Sequence, residues 1–401
     1  MNTLRMLKFT TLVLLVLPYA GRAEEKRATV PTDDGTTVTT VVTTAQPSAP
    51  TALPVQVPPD HSGLSYSGRF DKKNPGAAVC AWPASAVTLH FRGTAANVNL
   101  GVGGNRVEVI LDGKPVKVLT GDPKEAASAA PTPRLYSLAS GLPDGEHVVT
   151  LLKCTEASCG NVQFTGFQLA EGGTVLPAIA PSRKIEVIGD SISAGYGNEA
   201  ASQSEHFSAA TENAYWTYGA IAARALGADY TCLAWSGRKL WPNNTLPSIY
   251  DLTLPRDPAS AWGGDTKKPD VFLINLCTND FNSKETPDLE GWVAAYHEFI
   301  ARLRKDAPDA TIYCAIGPML TDGYPAGAQA ATKAHQCIER VVKESNDRGD
   351  KKVHFLEFAT QNPFVDGVGA DWHPNLGTHQ KMADKFLAAL KQDLGWEPAK
   401  P

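Results

Sequence analysis

Four short stretches of the chain each combine small residues with a side chain that can do chemistry. They are Gly189-Asp190-Ser191-Ile192, Trp235-Ser236-Gly237-Arg238, Cys277-Thr278-Asn279-Asp280 and Asp371-Trp372-His373-Pro374. Acyl transfer requires a nucleophile, a base within hydrogen-bonding reach, and donors aimed at the oxygen that becomes negative. Ser191 can supply the nucleophile and His373 the base. The backbone N–H groups of Ser191 and Gly237, with the side-chain amide of Asn279, can supply the donors.

Each of these residues also has an ordinary structural interpretation. A single Gly-Asp-Ser is more often a turn that ends a strand. Gly237 can serve as a turn glycine, and His373 can cap the helix that follows it. The occurrence of all four stretches at predicted strand ends, in this order, favours a common site, because ligands of open α/β sheets bind at the carboxyl ends of the strands.

The second part of the chain, residues 181–397, is predicted to position these residues on a parallel sheet. Apolar strand-like runs cover residues 185–188, 230–235, 271–276, 311–316 and 353–358. Helical patterns cover residues 213–226, 289–305, 329–343 and 378–394. Strands that alternate with helices indicate a three-layer α/β domain with both faces of the sheet covered.

The preceding region, residues 61–180, has the pattern of antiparallel β structure. Residues 87–91 and 96–100 alternate apolar with polar side chains, and Asp112-Gly113 separates two further alternating runs. An Asp-Gly pair in that position is a strong hairpin signal. The region is therefore predicted to be a small antiparallel sandwich of the jelly-roll type.

The N-terminal residues 1–23 are predicted to be an export signal. Arg5 and Lys8 precede an apolar run that is too short to span a bilayer, and Gly21-Arg22-Ala23 resembles a cleavage site. A Thr- and Pro-rich stretch, residues 24–60, is predicted to be an extended linker without strands. These features predict a secreted or periplasmic protein that has no membrane segment after cleavage.

Composition excludes several classes of partner. The net charge is −5 and no basic cluster is present, so nucleic acid is not expected to bind. No cysteine pair has the spacing of a zinc site with histidines, and we expect neither a metal nor an organic cofactor.

The seven cysteines are an odd number, so they cannot all pair within one chain. Cys154 and Cys159 are spaced to close a small disulfide loop, whereas Cys277 and Cys314 lie in apolar runs typical of buried thiols.

The four stretches resemble the blocks of the SGNH, or GDSL-type, hydrolase superfamily, which carry Ser, Gly, Asn and His in this order. Further stretches make the chain most similar to carbohydrate esterase family two, whose acetyl esterases place a jelly-roll domain before the SGNH domain. These are Glu212-Asn213, Ala234-Trp235-Ser236-Gly237-Arg238, Thr278-Asn279-Asp280-Phe281 and Ile316-Gly317-Pro318-Met319-Leu320. The resemblance implies that Ser191 is the nucleophile, that His373 is the base, and that Gly237 and Asn279 complete the oxyanion hole.

The chain departs from the superfamily pattern at two positions. Cys277 replaces the glycine that usually begins the third block, and Ala370 stands where the superfamily usually has its acid. Asp371, one position later, is the candidate for orienting His373. A backbone carbonyl or a more distant acid is the alternative, since some family-two members resemble a Ser-His dyad supported by a carbonyl.

The resemblance implies a secreted serine esterase that removes O-acetyl groups from xylan, mannan or related oligosaccharides, acting as a monomer. Four aromatic residues, Trp235, Trp241, Trp372 and Tyr196, are candidates for stacking on sugar rings, although packing explains any one of them equally well. Two alternatives remain open. One is a lipid acylhydrolase or thioesterase on the same fold, and the other is an inert carbohydrate-binding protein.

Overall fold

The structure, a computed structural model, describes residues 24–31, 37–44, 54–264 and 267–398. The predicted signal segment, residues 1–23, and parts of the predicted linker lie outside the described residues. Within residues 1–53, which form a unit of their own, β1 (Glu24–Pro31) pairs antiparallel with β2 (Thr37–Thr44). The prediction of a stretch without strands is therefore wrong here. The Thr- and Val-rich sequence of β2 has the high β propensity of β-branched residues.

The β domain consists of two antiparallel sheets. Its strands are β3 (Val55–Val57), β4 (Leu64–Ser67), β5 (Ala78–Cys80), β6 (Ala86–Gly93), β7 (Ala96–Gly101), β8 (Arg106–Leu111), β9 (Lys114–Thr120), β10 (Arg134–Ala139), β11 (Gly145–Lys153), β12 (Val162–Leu169) and β13 (Thr174–Val175). One sheet has the order β10-β7-β12-β3, and the other has the order β13-β6-β11-β8-β9. Leu89 and Val149 from one sheet and Val98 and Phe164 from the other belong to one apolar core.

The predicted Asp112-Gly113 hairpin is present between β8 and β9. Both residues have positive φ, 49° for Asp112 and 78° for Gly113, as a tight two-residue hairpin turn requires. The alternating pattern on either side of the turn thus gave the pairing correctly.

The α/β domain contains a five-stranded parallel sheet in the order β15-β14-β16-β17-β18. The strands are β14 (Lys184–Gly189), β15 (Asp229–Ala234), β16 (Val271–Asn275), β17 (Thr311–Ile316) and β18 (Val353–Glu357). The helices are α1 (Ser191–Ala194), α2 (Tyr218–Ala225), α3 (Thr278–Phe281), α4 (Leu289–Asp306), α5 (Ala330–Asp347) and α6 (Leu376–Leu394). Buried residues of α4 and α5 share one core cluster with the sheet, and those of α2 and α6 share another. The predicted order of a β domain followed by a three-layer α/β domain is confirmed.

The strand order puts the polar stretches at one edge of the sheet. β14 lies between β15 and β16, so the next strand in the chain, β15, is added on one side of β14 and the following strand, β16, on the other side. Ser191, Gly237 and Asn279 follow the carboxyl ends of these three strands. Such a switch point is where open parallel sheets form their binding crevice.

Polar contacts join the β domain to the α/β domain. The Arg106 guanidinium is 2.6 Å from the Glu199 carboxylate, and Trp82 Nε1 donates to the carbonyl of Leu252 at 3.2 Å. Trp82 is fully buried among residues of the α/β core. The two domains therefore share buried surface.

All seven cysteines are buried free thiols, so the predicted Cys154–Cys159 disulfide is absent. The two thiols face different partners: Cys154 Sγ lies 3.8 Å from the carbonyl of Leu152, and Cys159 Sγ lies 4.0 Å from Glu212 Oε2. Burial raises the pKa of Cys159 to about 12, which keeps this thiol protonated and unreactive. No helix among the described residues has the length and apolar character needed to cross a bilayer.

Candidate active site

Ser191 begins α1 immediately after a sharp turn at the end of β14. A Cβ atom at Gly189 would lie 2.1 Å from Ser193 Oγ, so only glycine allows the strand to approach the helix this closely. The side chain of Asp190 caps α1 by accepting from the N–H of Ile192 at 3.0 Å. Ser191 itself is only 7% exposed, so its hydroxyl is held by packing and by the capped turn.

The hydroxyl of Ser191 and the imidazole of His373 form a hydrogen bond. The Oγ–Nε2 distance is 2.8 Å, and His373 Nδ1 lies 3.1 Å from the carbonyl oxygen of Ala370. A carbonyl oxygen can only accept, so the proton is on Nδ1 and the lone pair of Nε2 faces Ser191. In this tautomer, His373 is arranged to take the hydroxyl proton.

A strained turn holds the Ala370 carbonyl against the imidazole. Asp371 and Trp372 both have left-handed backbone angles, with φ values of 48° and 68°, which non-glycine residues rarely adopt. The N–H of Ala370 donates to Gly197 at 3.0 Å, and that of Asp371 donates to Glu205 at 3.0 Å. The loop that follows Ser191 thus fixes the turn that carries His373.

The carboxylate of Asp371 does not bond to His373. Its two oxygens accept from the Tyr196 hydroxyl at 2.7 Å and from His206 Nδ1 at 2.8 Å. These bonds, that of Tyr196 foremost, lower the pKa of Asp371. The predicted orienting role of Asp371 is therefore not met by this geometry, and the backbone carbonyl of Ala370 occupies that place. The reason is the left-handed turn, which aims the carboxylate away from the imidazole and towards Tyr196.

Burial lowers the pKa of His373 to about 4. Desolvation disfavours the imidazolium, and the neutral carbonyl on Nδ1 offers it no countercharge. The ring of Tyr196 also stacks on the imidazole, with ring centroids 4.1 Å apart. The base is thus kept neutral, as it must be to accept a proton at neutral pH.

The predicted oxyanion donors lie on the neighbouring strand ends. Gly237 has a φ of 76°, is exposed and has no other atom within 4 Å of a hypothetical Cβ. Asn279 Nδ2 donates to the carbonyl of Arg238 at 3.0 Å, which ties the two donor loops together, and more weakly to Asp190 Oδ2 at 3.4 Å, a long bond that an oxyanion would replace. Among the described residues, no hydrogen-bond acceptor faces the backbone N–H of Ser191 or of Gly237. Both N–H groups are therefore free to bind an oxyanion.

Asp280 braces the loop that follows β15. This buried carboxylate accepts from the N–H of Leu240 at 3.1 Å, the N–H of Trp241 at 3.0 Å and Trp292 Nε1 at 2.9 Å. Burial raises its pKa. Asp280 therefore connects the third block, through its own short helix, to the loop that carries Gly237.

The structure separates the four predicted aromatic residues into two groups. Tyr196 stacks on His373, and Trp372, 51% exposed, adjoins it in the chain. Trp241 packs against the core of the α/β domain near Gly291, and the half-buried Trp235 lies under the Arg238 guanidinium at 4.5 Å. Trp372 is thus exposed beside the base, while Trp241 has a packing role.

Two contributors to the site were missed by sequence reasoning. His206 holds Asp371, and Gln361 Nε2 donates to the carbonyl of Trp372 at 2.6 Å. Both lie in loops without a motif, so no sequence signal could have identified them. Within the described ranges, no group of three or more His, Cys, Asp or Glu side chains is arranged to hold a metal ion.

Comparison with known proteins agrees with this architecture. Residues 66–178 match the family described as Carbohydrate esterase 2 N-terminal, and residues 187–381 match the GDSL-like Lipase/Acylhydrolase family. The structure of a family two carbohydrate esterase from Clostridium thermocellum in complex with cellohexaose superposes with a TM-score of 0.75 and 40% identity, covering 83% of this chain and 99% of that one. The chain belongs to carbohydrate esterase family two.

Two curated relatives of this esterase family are informative. Cellulase/esterase CelE of Acetivibrio thermocellus is 40% identical over 344 residues, which are 84% of this chain but only 40% of that longer relative. An acetylxylan esterase / glucomannan deacetylase of Cellvibrio japonicus is 26% identical over 83% of this chain and 89% of its own length. The predicted family and fold class are thereby confirmed.

Proposed function

We propose that this protein is a secreted serine esterase that removes O-acetyl groups from plant cell-wall polysaccharides such as xylan and glucomannan. The observation that carries the proposal is the 2.8 Å contact between Ser191 Oγ and His373 Nε2, beside the free N–H groups of Ser191 and Gly237. A nucleophile, a neutral base and oxyanion donors are the components that ester hydrolysis through a covalent intermediate requires.

The proposed reaction has two steps. Ser191 Oγ attacks the acetyl carbonyl carbon while its proton passes to His373 Nε2, and the carbonyl oxygen becomes an oxyanion facing Ser191 N, Gly237 N and Asn279 Nδ2. The bond to the sugar oxygen then breaks, and that oxygen takes the proton from His373. Water attacks the acetyl-enzyme, again giving a proton to His373, and acetate leaves as Ser191 recovers its hydroxyl.

Two observations support a carbohydrate ester as the substrate. The Cellvibrio japonicus relative is an acetylxylan esterase / glucomannan deacetylase, which makes acetylated xylan and glucomannan candidate substrates, and the related Clostridium thermocellum structure holds cellohexaose. The site has polar surroundings: the exposed Trp372 adjoins Asp371, which bonds to His206, and Arg238 follows Gly237 in the chain. Such surroundings suit a sugar better than a long acyl chain.

The test is acetate release from acetylated xylan and acetylated glucomannan, together with hydrolysis of p-nitrophenyl acetate and octanoate. We expect acetate from at least one polysaccharide, little octanoate hydrolysis, and loss of all activity in Ser191→Ala. Ser193→Ala is the matched control, because this hydroxyl bonds to Tyr218 instead of His373. Strong octanoate hydrolysis without acetate release would favour a lipid acylhydrolase, and a folded wild type without any activity would favour the inert binding protein.

Export and a monomeric state are also part of the proposal. Cleavage after Ala23 would leave a mature chain that begins at Glu24. N-terminal sequencing of protein recovered outside the cytoplasm, followed by light scattering, tests both points. A first residue at Met1, or a mass above that of one chain, would contradict them.

A further inference from the structure

A glutamate of the β domain reaches the loop that carries Gly237. Glu156, between β11 and β12, is 2% exposed. Its Oε2 accepts from the backbone N–H of Ser236 at 2.8 Å and also from the Ser236 hydroxyl. The carboxylate therefore fixes the peptide unit directly before that of Gly237, whose N–H is free.

Glu156 is itself held by bonds to its side chain and to its backbone. Its Oε1 accepts from the hydroxyl of Ser158 at 2.5 Å. Its backbone N–H donates to Glu212 Oε2 at 3.0 Å, and its carbonyl accepts from the buried ammonium of Lys153 at 3.0 Å. Trp235 packs against a small apolar cluster that includes Ala157 of the same loop as Glu156. Such a set of buried bonds, crossing from one domain to the other, gives Glu156 little freedom to move.

The remaining contacts of the Gly237 loop come from the α/β domain. Asn244 Nδ2 donates to the carbonyl of Gly237 at 2.9 Å, and Asn279 Nδ2 donates to the carbonyl of Arg238 at 3.0 Å. Among the residues that the structure describes, Glu156 is the one side chain of the β domain that bonds to the backbone on the N-terminal side of Gly237. Glu156 holds the Trp235–Ser236 peptide unit and the Ser236 hydroxyl, and the peptide plane that carries the Gly237 N–H follows directly after Ser236. Fixing Ser236 therefore restricts the directions in which the Gly237 N–H can point.

We propose that Glu156 is a positioning residue through which the β domain aims the Gly237 N–H at the oxyanion. The inference rests on the proposed esterase function and deepens it, because it makes the β domain part of the catalytic apparatus. Glu156 touches neither the substrate nor Ser191 in this role. It acts as a hydrogen-bond acceptor for Ser236, so an uncharged acceptor of the same length should replace it.

The expected effect falls on transition-state binding. Loss of one oxyanion donor typically lowers kcat by about 10²- to 10³-fold. A donor that is still present but points in the wrong direction should lower kcat by a smaller factor. We therefore expect Glu156→Ala and Glu156→Met to lower kcat by about 10- to 100-fold with KM changed by less than about threefold. Glu156→Gln keeps an acceptor for Ser236 and should stay within about threefold of wild type.

Two further measurements separate positioning from stability. The inhibition constant of methylboronic acid, which forms a tetrahedral adduct on a catalytic serine, should rise in parallel with the fall in kcat. Glu108→Ala is the matched control: Glu108 is also a buried glutamate of the β domain and bonds to Asn213 of the α/β domain at 3.3 Å, away from Gly237. The melting temperature of Glu108→Ala should fall, while its kcat should stay within about twofold of the wild-type value.

The outcomes are distinguishable. If wild type is inactive on p-nitrophenyl acetate, or Ser191→Ala equals wild type, the esterase proposal fails. If wild type is active and depends on Ser191, and folded Glu156→Met equals wild type, only the positioning role is overturned. Equal losses in Glu156→Met and Glu156→Gln also overturn it, since charge and not the acceptor would then matter. If Glu156→Ala does not fold, the comparison of kcat between Glu156→Met and Glu156→Gln decides, because both variants preserve the length of the side chain.

Discussion

The catalytic base, His373, and the loop that carries the oxyanion donor Gly237 are held in place by different kinds of hydrogen-bond acceptor. His373 is oriented by a single neutral carbonyl, that of Ala370, on a strained turn. The loop that carries Gly237 is instead fixed by buried carboxylates, Asp280 on one flank and Glu156 on the other. Charged acceptors hold the backbone of the loop that carries Gly237, whereas the acceptor bonded to Nδ1 of the imidazole that must gain and lose a proton is uncharged.

The difference follows from what each side does in the reaction. A carboxylate on Nδ1 of the imidazole would favour the charged form and raise its pKa, whereas the carbonyl leaves burial to dominate and the pKa falls to about 4. The oxyanion donors never change protonation state. Strong charge-assisted bonds to Ser236, Leu240 and Trp241 can therefore fix their loop without shifting a pKa on which the reaction depends.

The largest expected effect comes from removing the base. His373→Ala should lower kcat for p-nitrophenyl acetate by about 10³-fold or more, because His373 is the base that the described part of the chain places against the Ser191 hydroxyl. His206→Ala is the comparison: this exposed ring bonds to Asp371 and, within the described ranges, not to His373 or Ser191, so its loss should lower kcat by less than about fivefold. Steady-state kinetics on folded variants measures both, and similar losses in the two would place the base elsewhere.

Removal of a donor should cost somewhat less. Asn279→Ala is expected to lower kcat by about 10²- to 10³-fold with little change in KM, as for the loss of one oxyanion donor. Asn244→Ala removes only the bond to the carbonyl of Gly237 and should lower kcat by less than about tenfold. An Asn279→Ala enzyme with wild-type kcat would remove Asn279 from the oxyanion hole.

Asp371→Asn tests the absence of a carboxylate partner for His373. In a triad, changing the acid to its amide lowers kcat by about 10⁴-fold. Here the carboxylate bonds to Tyr196 and His206, so we expect a loss of less than about tenfold. A triad-sized loss in folded protein would show that Asp371 orients the base during the reaction.

The smallest effect is a shift in pH dependence. Only the neutral imidazole can accept the proton, so kcat/KM should fall as pH drops through the pKa of His373. The midpoint of this fall, the acid limb of the pH profile, should lie well below pH 6.5, towards about 4. The negative charge of Asp371 acts to raise that pKa, so the limb in Asp371→Asn should move to lower pH still. A limb near 6.5 in wild type, unmoved in the variant, would contradict both statements.

The sequence predicted the parts of the molecule that depend on local pattern. Period-two alternation and Asp112-Gly113 gave the hairpin of the β domain, and apolar runs gave the five parallel strands whose ends bring Ser191, Gly237 and Asn279 together. Periodicity and turn chemistry are local properties, so they can be seen without the fold.

The contacts that depend on backbone conformation or on distant segments were not predictable. The left-handed angles of Asp371 and Trp372 turn the carboxylate away from His373, and no residue type in that stretch signals them. Glu156 reaches Ser236 from a loop of the other domain, so spacing could not connect the two. The β1–β2 hairpin was missed because Thr- and Pro-rich composition was taken to exclude strands.

The most direct test of the account is labelling by a serine-directed phosphonate, followed by mass spectrometry of the peptides. The reagent needs an activated serine hydroxyl and an oxyanion site but no particular sugar. We expect one label per chain, on Ser191, with none in Ser191→Ala and much slower labelling in His373→Ala. Folded wild-type protein that takes up no label, or takes it up on another residue, would contradict the assignment of Ser191 as the nucleophile.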